Sequence, residues 1–369
     1  MEITAAVSET VARGFTLKQL QLGEPRADEV LVKLVATGLC HTDIAAHKGV
    51  IPMPAPVVLG HEGAGVVVRV GAAVNKVVPG DHVVLSLASC GTCDKCSIGM
   101  PTYCRQHVPL NWQAQRADGS VSLHDERGDV HSHFFGQSSF AQYAVVNASS
   151  VVTIDKAIPL EYLGPLACGL MTGAGAVMNT LRAHAGSSLV VFGLGAVGLA
   201  AVMAAVMAAR VVGCGQIIAV DIKENRLALA KELGATVVIN PKTADVAEVL
   251  HQLTNGYGVD YSVEAAGHAS VMADAVKVLS ENGKCVLTGV VPQGESLPLD
   301  IMHLIRGRAV QGSIMGDAAP TVFIPMLAQL FQQGRFPIDR LIRFYDMNDI
   351  NQAMADSQSG ETIKAVIRM

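Results

Sequence analysis

The sequence predicts an α/β protein of two domains: a β-rich outer domain broken by glycines, and a doubly wound parallel sheet inserted late in the chain. Three observations carry this. The length of 369 residues corresponds to two domains at roughly 150 residues each, both large enough to bury a core. Residues 1–150 hold short β-rich runs and almost no helical periodicity. From Ser187 onward, apolar strands alternate with helical stretches, the pattern of βα units around a parallel sheet.

Taken in order, the outer domain offers strands at Glu29–Val35, Val57–Val70, His82–Leu87 and Phe140–Val146. The second of these, VVLGHEGAGVVVRV, sets three glycines among β-branched residues, which suits bulges and bends in a coiled, barrel-like sheet. Between Cys104 and Phe134 the pattern dissolves into a polar surface excursion, where His131 and His133 near Asp125, Glu126 and Asp129 read as solvated loop residues. The α/β part follows with SLVVFG, QIIAVD, TVVIN, VDYSVEAAG, KCVLTGV and AVQGSI as six strands. Between them lie helices such as Glu224–Leu233, where Leu227 and Ala230 share a face and Gly234 supplies the stop. The chain closes with a helix near Met326–Gln333, with Pro325 at its start, and with a strand at Ile363–Arg368 that can rejoin the outer domain.

Composition excludes several classes. Half the residues are hydrophobic and 16% are charged, against roughly 25% charged in an average soluble domain, which argues against disorder. A net charge of −5 and a pI near 6.2 give no electrostatic footprint for nucleic acid. The opening MEITAAVSE lacks a basic segment followed by an apolar run, so the expected location is cytoplasmic. The uncharged run from Ala185 to Ala209 is long enough to cross a bilayer, but Gly193, Gly195 and Gly198 interrupt it. It reads as strand, turn and helix, with no membrane partner.

Eight cysteines stand at 40, 90, 93, 96, 104, 168, 214 and 285. The run Cys90-x2-Cys93-x2-Cys96-x7-Cys104 places four thiolates where zinc takes a closed tetrahedral set, able to supply on the order of 10 kcal/mol of local folding energy. Two disulfides, free thiols or an iron–sulfur cluster are the alternatives; no Pro follows Cys104 and no second cluster run exists, so the restrictive spacing favours zinc. Cys214 and Cys285 read as plain packed thiols. A second set is spread along the chain: Cys40 in GLCHTD, His61 in GHEG and Cys168 in GPLACG. Two thiolates and an imidazole would leave zinc one open position, although distance in sequence does not establish that the three meet.

The stretch VVFGLGAVG gives the G-x-G-x-x-G spacing at Gly193, Gly195 and Gly198, between a strand and a helix. In that context the glycines serve a tight turn, the approach of a pyrophosphate and close helix packing; a ligand-free βα turn is the bland alternative. Asp221 ends the next strand, where its carboxylate can bond ribose hydroxyls and repel an extra phosphate, which argues for NAD over NADP. Inside the helix, residues 201–208 read AVMA-AVMA, adding about one turn at its C-terminal end and leaving the phosphate end intact.

The motifs GLCHTD, GHEGAGVV, the four-cysteine run, FFGQSSFAQYA, LGPLACGLMTGAGA, GLGAVG and the terminal ETIKAVI together resemble the zinc-dependent medium-chain alcohol dehydrogenases, over essentially the whole chain. The match is closest in pattern to the aryl-alcohol and geraniol dehydrogenase branch. The resemblance implies a GroES-like catalytic domain over 1–169 and 315–369 with a zinc lobe at 88–106, and a Rossmann NAD-binding domain over 170–314. It implies two zinc ions per chain, a catalytic one on Cys40, His61 and Cys168 and a structural one on Cys90, Cys93, Cys96 and Cys104. Thr42 would accept the alcohol proton while a hydride passes to the nicotinamide. Asp43 would orient His61, and Glu62 would sit beside the metal. His41 and Lys364 would approach the pyrophosphate, Arg226 the adenosine ribose, Val197 the nicotinamide and Thr172 its back face.

Ser86, Tyr103, Val290 and Ile314 would line the substrate pocket. The expected reaction is reversible oxidation of a primary aromatic or allylic alcohol, of benzyl alcohol or geraniol type, to its aldehyde. A general aliphatic alcohol dehydrogenase, an aldehyde reductase, or a non-catalytic zinc- and NAD-binding protein are the rivals. One departure bears on mechanism: where animal-type members carry a proton-relaying histidine, this chain has Ala45, leaving His47 or water as the outlet. The assembly implied is a homodimer or homotetramer, with AVQGSI as an edge strand able to pair.

Overall fold

The alternating strands after residue 187 form one parallel sheet in a computed structural model that describes residues 1–369 apart from 12, 185, 213, 214 and 293 and the side chains of 208–212. Cys214 therefore lies outside the described residues. The strands are β1 (Ser188–Phe192), β2 (Gln216–Val220), β3 (Val237–Ile239), β4 (Val259–Glu264), β5 (Leu279–Leu287) and β6 (Ala309–Gly312). Their spatial order is β3-β2-β1-β4-β5-β6, every pair parallel. Strands with helices on both faces read as continuous apolar runs, and Val190, Phe192, Ile218, Val220, Val259 and Cys285 accordingly meet in one buried cluster. Chain order reverses between β1 and β4, and ligands of such sheets bind outside the strand ends at that point.

The long uncharged run resolves into β1, a glycine turn and a helix over Ala196–Val212. Among the described residues no helix is long and apolar enough to cross a membrane.

The remaining chain builds two sheets. One has strands in the order Val151–Ile154, His82–Leu85, Glu62–Val70, Glu29–Gly38, Lys364–Arg368 and Ile342–Asp346, with Tyr143–Asn147 also paired to Glu29–Gly38. The other runs Val57–Val58, Glu2–Ser8, Thr16–Leu22, Leu123–Asp125 and Gly128–Val130. The C-terminal strand joins the first sheet through pairs such as Val366 with Gly38. Two compact units result: Met1–Cys168 with Ala319–Met369, and Gly169–Ala318.

Four local expectations are corrected. The strand expected over 57–70 breaks at 59–61, because Gly60 takes a φ of +93° and turns the chain where His61 sits. The residues after Cys104 are not a bare excursion: they hold a helix over His107–Asn111 and the hairpin of the second sheet. His133 is buried there at 4% exposure, because the carboxylate of Glu29, itself buried, collects His133 Nε2 at 3.1 Å and both Nε and a terminal nitrogen of Arg116 at 2.6 and 2.9 Å. The helix expected from residue 326 begins at Pro320 and carries Pro325 inside it. Burial of Phe323, Ile324, Leu327 and Ala328 on one face offsets the hydrogen bond that Pro325 cannot make.

Candidate active site

The four clustered cysteines share one small volume, their sulfurs all within 4.8 Å of one another. Cys93 and Cys96 Sγ are 3.6 Å apart, and Cys90 and Cys96 Sγ are 4.0 Å apart. Four sulfurs at the Zn–S bond length on a tetrahedron are separated by about 3.8 Å, so the cradle has zinc dimensions. Backbone amides of Cys90, Arg105 and Gln106 donate to the sulfurs, and amides around Cys90 hold its thiol down to about 6. Burial and the neighbouring sulfurs push Cys96 up to about 12. Four thiolates this close repel each other unless a cation lies among them.

The second cluster joins three distant chain segments. Cys40 precedes a short helix over His41–His47, His61 follows the break at Gly60, and Cys168 ends its compact unit. Their ligand atoms and a Glu62 carboxylate oxygen all lie within 4.8 Å of one another. Asp43 organises this group. Its Oδ1 accepts from His61 Nδ1 at 2.8 Å and from the Gly60 amide at 3.1 Å, and its Oδ2 accepts from the Cys40 amide at 2.9 Å. With Nδ1 so engaged, His61 Nε2 is buried with no hydrogen-bond partner among the described residues.

An imidazole nitrogen left this way beside two sulfurs fits a divalent soft metal, and the donor set of two thiolates and one imidazole is a zinc set. Without metal, burial opposes a charged His61, but Asp43 and Cys40 outweigh it and raise its pKa well above the ordinary value. Cys168 and His61 in turn hold Cys40 well below the usual thiol range, against its burial.

In the other unit the glycine loop connects β1 to its helix. Gly193 has a φ of +86°, and a Cβ at Gly198 would lie 1.8 Å from the Gly193 carbonyl oxygen, so turn and helix close only with glycine there. At Gly195 a Cβ would meet nothing within 4 Å: the backbone faces open space, as an approaching pyrophosphate requires. Asp221 stands at the end of β2, its Oδ2 accepting from the Leu194 amide at 2.7 Å and its Oδ1 from the Lys223 amide at 2.8 Å. Arg226, one helical turn on, is buried; burial lowers its pKa and Asp221 opposes that. Thr172 is buried in the helix Gly169–Gly175, and a Cβ on its neighbour Gly173 would sit 1.9 Å from the Val197 carbonyl, so these two positions belong to one corner of the unit.

Family comparison agrees with this geometry. An alcohol dehydrogenase GroES-like domain matches residues 26–156, and a zinc-binding dehydrogenase domain matches 196–332. A geraniol dehydrogenase of Castellaniella defragrans is 38% identical over 366 residues, covering 98% of this chain and 96% of the relative. The chain belongs to the zinc-dependent medium-chain alcohol dehydrogenases. Among solved structures, an alcohol dehydrogenase zinc-binding domain protein from Burkholderia ambifaria is 47% identical with a TM-score of 0.97, covering 100% of this chain and 99% of that one. The benzyl alcohol dehydrogenase of Acinetobacter calcoaceticus is 42% identical with a TM-score of 0.95 over the same shares. The GroES-like and Rossmann architecture and the oxidoreductase class follow.

The remaining candidate residues of this dehydrogenase fall as follows. His41 is exposed and Thr42 half-buried, on the first turn after Cys40. Tyr103 is half-buried in the turn Pro101–Tyr103; Val290 and Ile314, in the other unit, are 73% and 40% exposed. Ser86 is buried, and its hydroxyl donates to the Ala167 carbonyl at 2.9 Å.

Two of the expected residues are held in buried hydrogen-bond networks. Lys364, expected at a pyrophosphate, is 3% exposed, and its ammonium donates to both Glu62 oxygens at 2.9 and 3.0 Å and to the Leu39 carbonyl at 3.2 Å. A buried carboxylate beside two thiols needs a counterion, and Lys364 is placed as that counterion; Glu62 and Cys40 hold its pKa above the lysine range in spite of burial. His47, offered as a proton outlet, is buried in the core. Its Nε2 accepts from the Gly14 amide at 3.2 Å, so Nδ1 carries the proton and donates to Ser8 Oγ at 2.8 Å, while the ring stacks on Phe15. Burial and Lys48 lower its pKa and keep it neutral.

Sequence reasoning did not single out Phe135, stacked on His61 with centroids 4.6 Å apart, or Gln137, which bonds the His61 carbonyl. The signal available was FFGQSSF, a motif narrower than the superfamily.

Proposed function

We propose that this dehydrogenase oxidises primary aromatic or allylic alcohols, reversibly and with NAD, and that each chain holds two zinc ions. The observation that carries the reading is the Nε2 of His61, buried without a hydrogen-bond partner among the described residues, beside the sulfurs of Cys40 and Cys168. When bound there, zinc would supply Lewis acidity that brings the alcohol hydroxyl toward a neutral pKa, and NAD would supply the hydride acceptor. The chain's own residues do the rest. Asp43 locks the His61 tautomer so that Nε2 is a lone-pair donor, and it fixes the Cys40 backbone at the same time. Thr42 Oγ1, two residues from Cys40, receives the alcohol proton. The Glu62–Lys364 pair balances charge beside the thiolates. Gly193, Gly195 and Gly198 let backbone amides and a helix N-terminus take the pyrophosphate, and Asp221 takes the ribose hydroxyls with Arg226 beside it.

The substrate class rests on the relatives named for geraniol and benzyl alcohol and on the small Ser86. A homodimer or homotetramer and a cytoplasmic setting complete the proposal. Comparison of kcat/KM for benzyl alcohol, geraniol and 1-butanol with NAD tests it. Benzyl alcohol or geraniol should lead; a lead for butanol removes the substrate class, and no NADH with any of them removes the enzymatic reading.

A further inference from the structure

The loop that follows His133 is held in a costly conformation. His133, Phe135 and Ser138 have φ of +72°, +52° and +53°, and Gly136 has +68°. Left-handed backbone at bulky residues persists only where the surroundings over-determine it, and such strain gathers at sites with a task. Here the outcome is that Gln137 is driven inward: it is 1% exposed, and a Cβ at Gly136 would meet Ser150 Oγ at 2.6 Å.

The hydrogen bonds shown for the Gln137 amide all go to backbone around the His61 centre. Oε1 accepts from the Gly63 amide at 3.1 Å, and Nε2 donates to the carbonyls of His61 at 3.0 Å, Leu85 at 3.0 Å and Ser86 at 3.1 Å. Two N–H bonds serve three carbonyls, so one is shared. Gln137 thus brackets the His61–Gly63 segment on both sides and ties it to Ser86. Ser86 continues the link, because its hydroxyl donates to the Ala167 carbonyl, immediately before Cys168.

We propose that Gln137 and Ser86 form a hydrogen-bonded truss that fixes the separation of His61 and Cys168, making both positioning residues for the metal centre. His61 and Cys168 lie 107 residues apart in sequence and share no strand. Asp43 orients the His61 ring and holds the Cys40 amide. The truss runs along the His61–Cys168 side of the triangle, from the His61 segment to the residue before Cys168. Phe135 closes the arrangement by stacking on the His61 ring, with Trp112 packed edge-on against Phe135 at 4.9 Å.

The inference rests on the reading that Cys40, His61 and Cys168 hold zinc, and the test separates the two. The full chain is prepared with Co(II) in place of zinc, as wild type, Gln137→Met, Ser86→Ala and, as a control for packing loss alone, Val67→Ala in the apolar core of the same sheet. Gln137→Met keeps the volume and removes every bond of the amide; Ser86→Ala removes one hydroxyl and keeps the assay informative should the first variant fail to fold. Expected are shifted cobalt d–d bands in both truss variants and metal loss to dipicolinate at least ~10-fold faster than wild type, within the range typical when a partner of a metal ligand is removed. kcat should fall while KM for NAD stays unchanged. Val67→Ala should lower Tm and leave the spectrum alone. Wild-type spectrum and metal-loss rate in both truss variants overturn the truss, whereas a wild type that takes up only one metal per chain overturns the zinc reading beneath it.

Discussion

On the proposed reading, cofactor choice turns on Asp221. Its carboxylate is fixed by the Leu194 and Lys223 amides and stands at the end of β2, where a dinucleotide ribose would be bonded. Were NADP bound instead, a 2′-phosphate of about −1.5 to −2 charges would face that carboxylate, and the repulsion can be worked for a separation on the order of 5 Å. Each unit charge at this distance costs about 0.8 kcal/mol at the dielectric of water and about 3 kcal/mol at an effective dielectric near 20. Asp221 is half-buried, so the repulsion falls between these limits, about 2–4 kcal/mol in total.

Asp221→Asn removes the charge and keeps an acceptor for the Leu194 amide. It also leaves Arg226 beside the site, a group suited to a 2′-phosphate. NADP-dependent kcat/KM should rise roughly 30- to 1000-fold relative to wild type, with NAD-dependent kcat/KM falling about 10-fold for the lost charge-assisted bond. Steady-state kinetics with one alcohol and both cofactors measure this. An intact Asp221→Asn enzyme that discriminates against NADP as strongly as wild type would show that cofactor choice lies elsewhere and that the ribose assignment is wrong.

Three further outcomes follow from other parts of the molecule. Burial opposes the Glu29 charge, but hydrogen bonds from His133 and Arg116 hold its pKa at about 2, against an ordinary 4.5. A depressed carboxylate stabilises the fold above its unfolded pKa, here by about 3 kcal/mol, and loses that contribution as pH falls from about 4.5 through 2. Urea unfolding of Glu29→Gln should therefore lie well below wild type at pH 7, with the gap narrowing below pH 4.5; a gap constant down to pH 3 contradicts the pairing. Replacing Cys104 by Ser should reduce zinc from two ions per chain to one, read by plasma mass spectrometry, and make the segment 90–104 a site of rapid proteolysis. His47→Gln should lower stability by about 1–2 kcal/mol through its lost bonds to Ser8 and Gly14. The pH profile of its kcat should match wild type, with no rescue by amine buffers; a selective loss of turnover below pH 7 would restore His47 as the proton outlet.

Much of the fold is readable because its signals are local. The glycine turn, the apolar runs of β1 to β6 and the four-cysteine spacing each act within a few residues, so periodicity and spacing report them directly. What escaped reading is long-range. Nothing near Lys364 in sequence announces that its ammonium is held by Glu62, 302 residues away. Glu29, Arg116 and His133 form one hydrogen-bonded cluster from three segments that look polar and exposed when taken singly. From its spacing to Cys40 alone His47 reads as a proton carrier; its bonds to Ser8 and Gly14 exist only in the fold. Pro325 marked a helix start by local rule, yet the packing of Phe323 and Ile324 ahead of it decided the boundary. That Cys40, His61 and Cys168 converge is likewise a property of the fold and cannot be taken from their positions in the chain.

The proposed chemistry depends on two metal centres of different character in one chain. The most direct measurement is an anomalous difference map from crystals of the zinc-loaded protein, collected on both sides of the zinc absorption edge. Two peaks per chain are predicted, one enclosed by the sulfurs of Cys90, Cys93, Cys96 and Cys104, the other bonded to Cys40, Cys168 and Nε2 of His61. A single peak at the four cysteines, with nothing at His61, would contradict it.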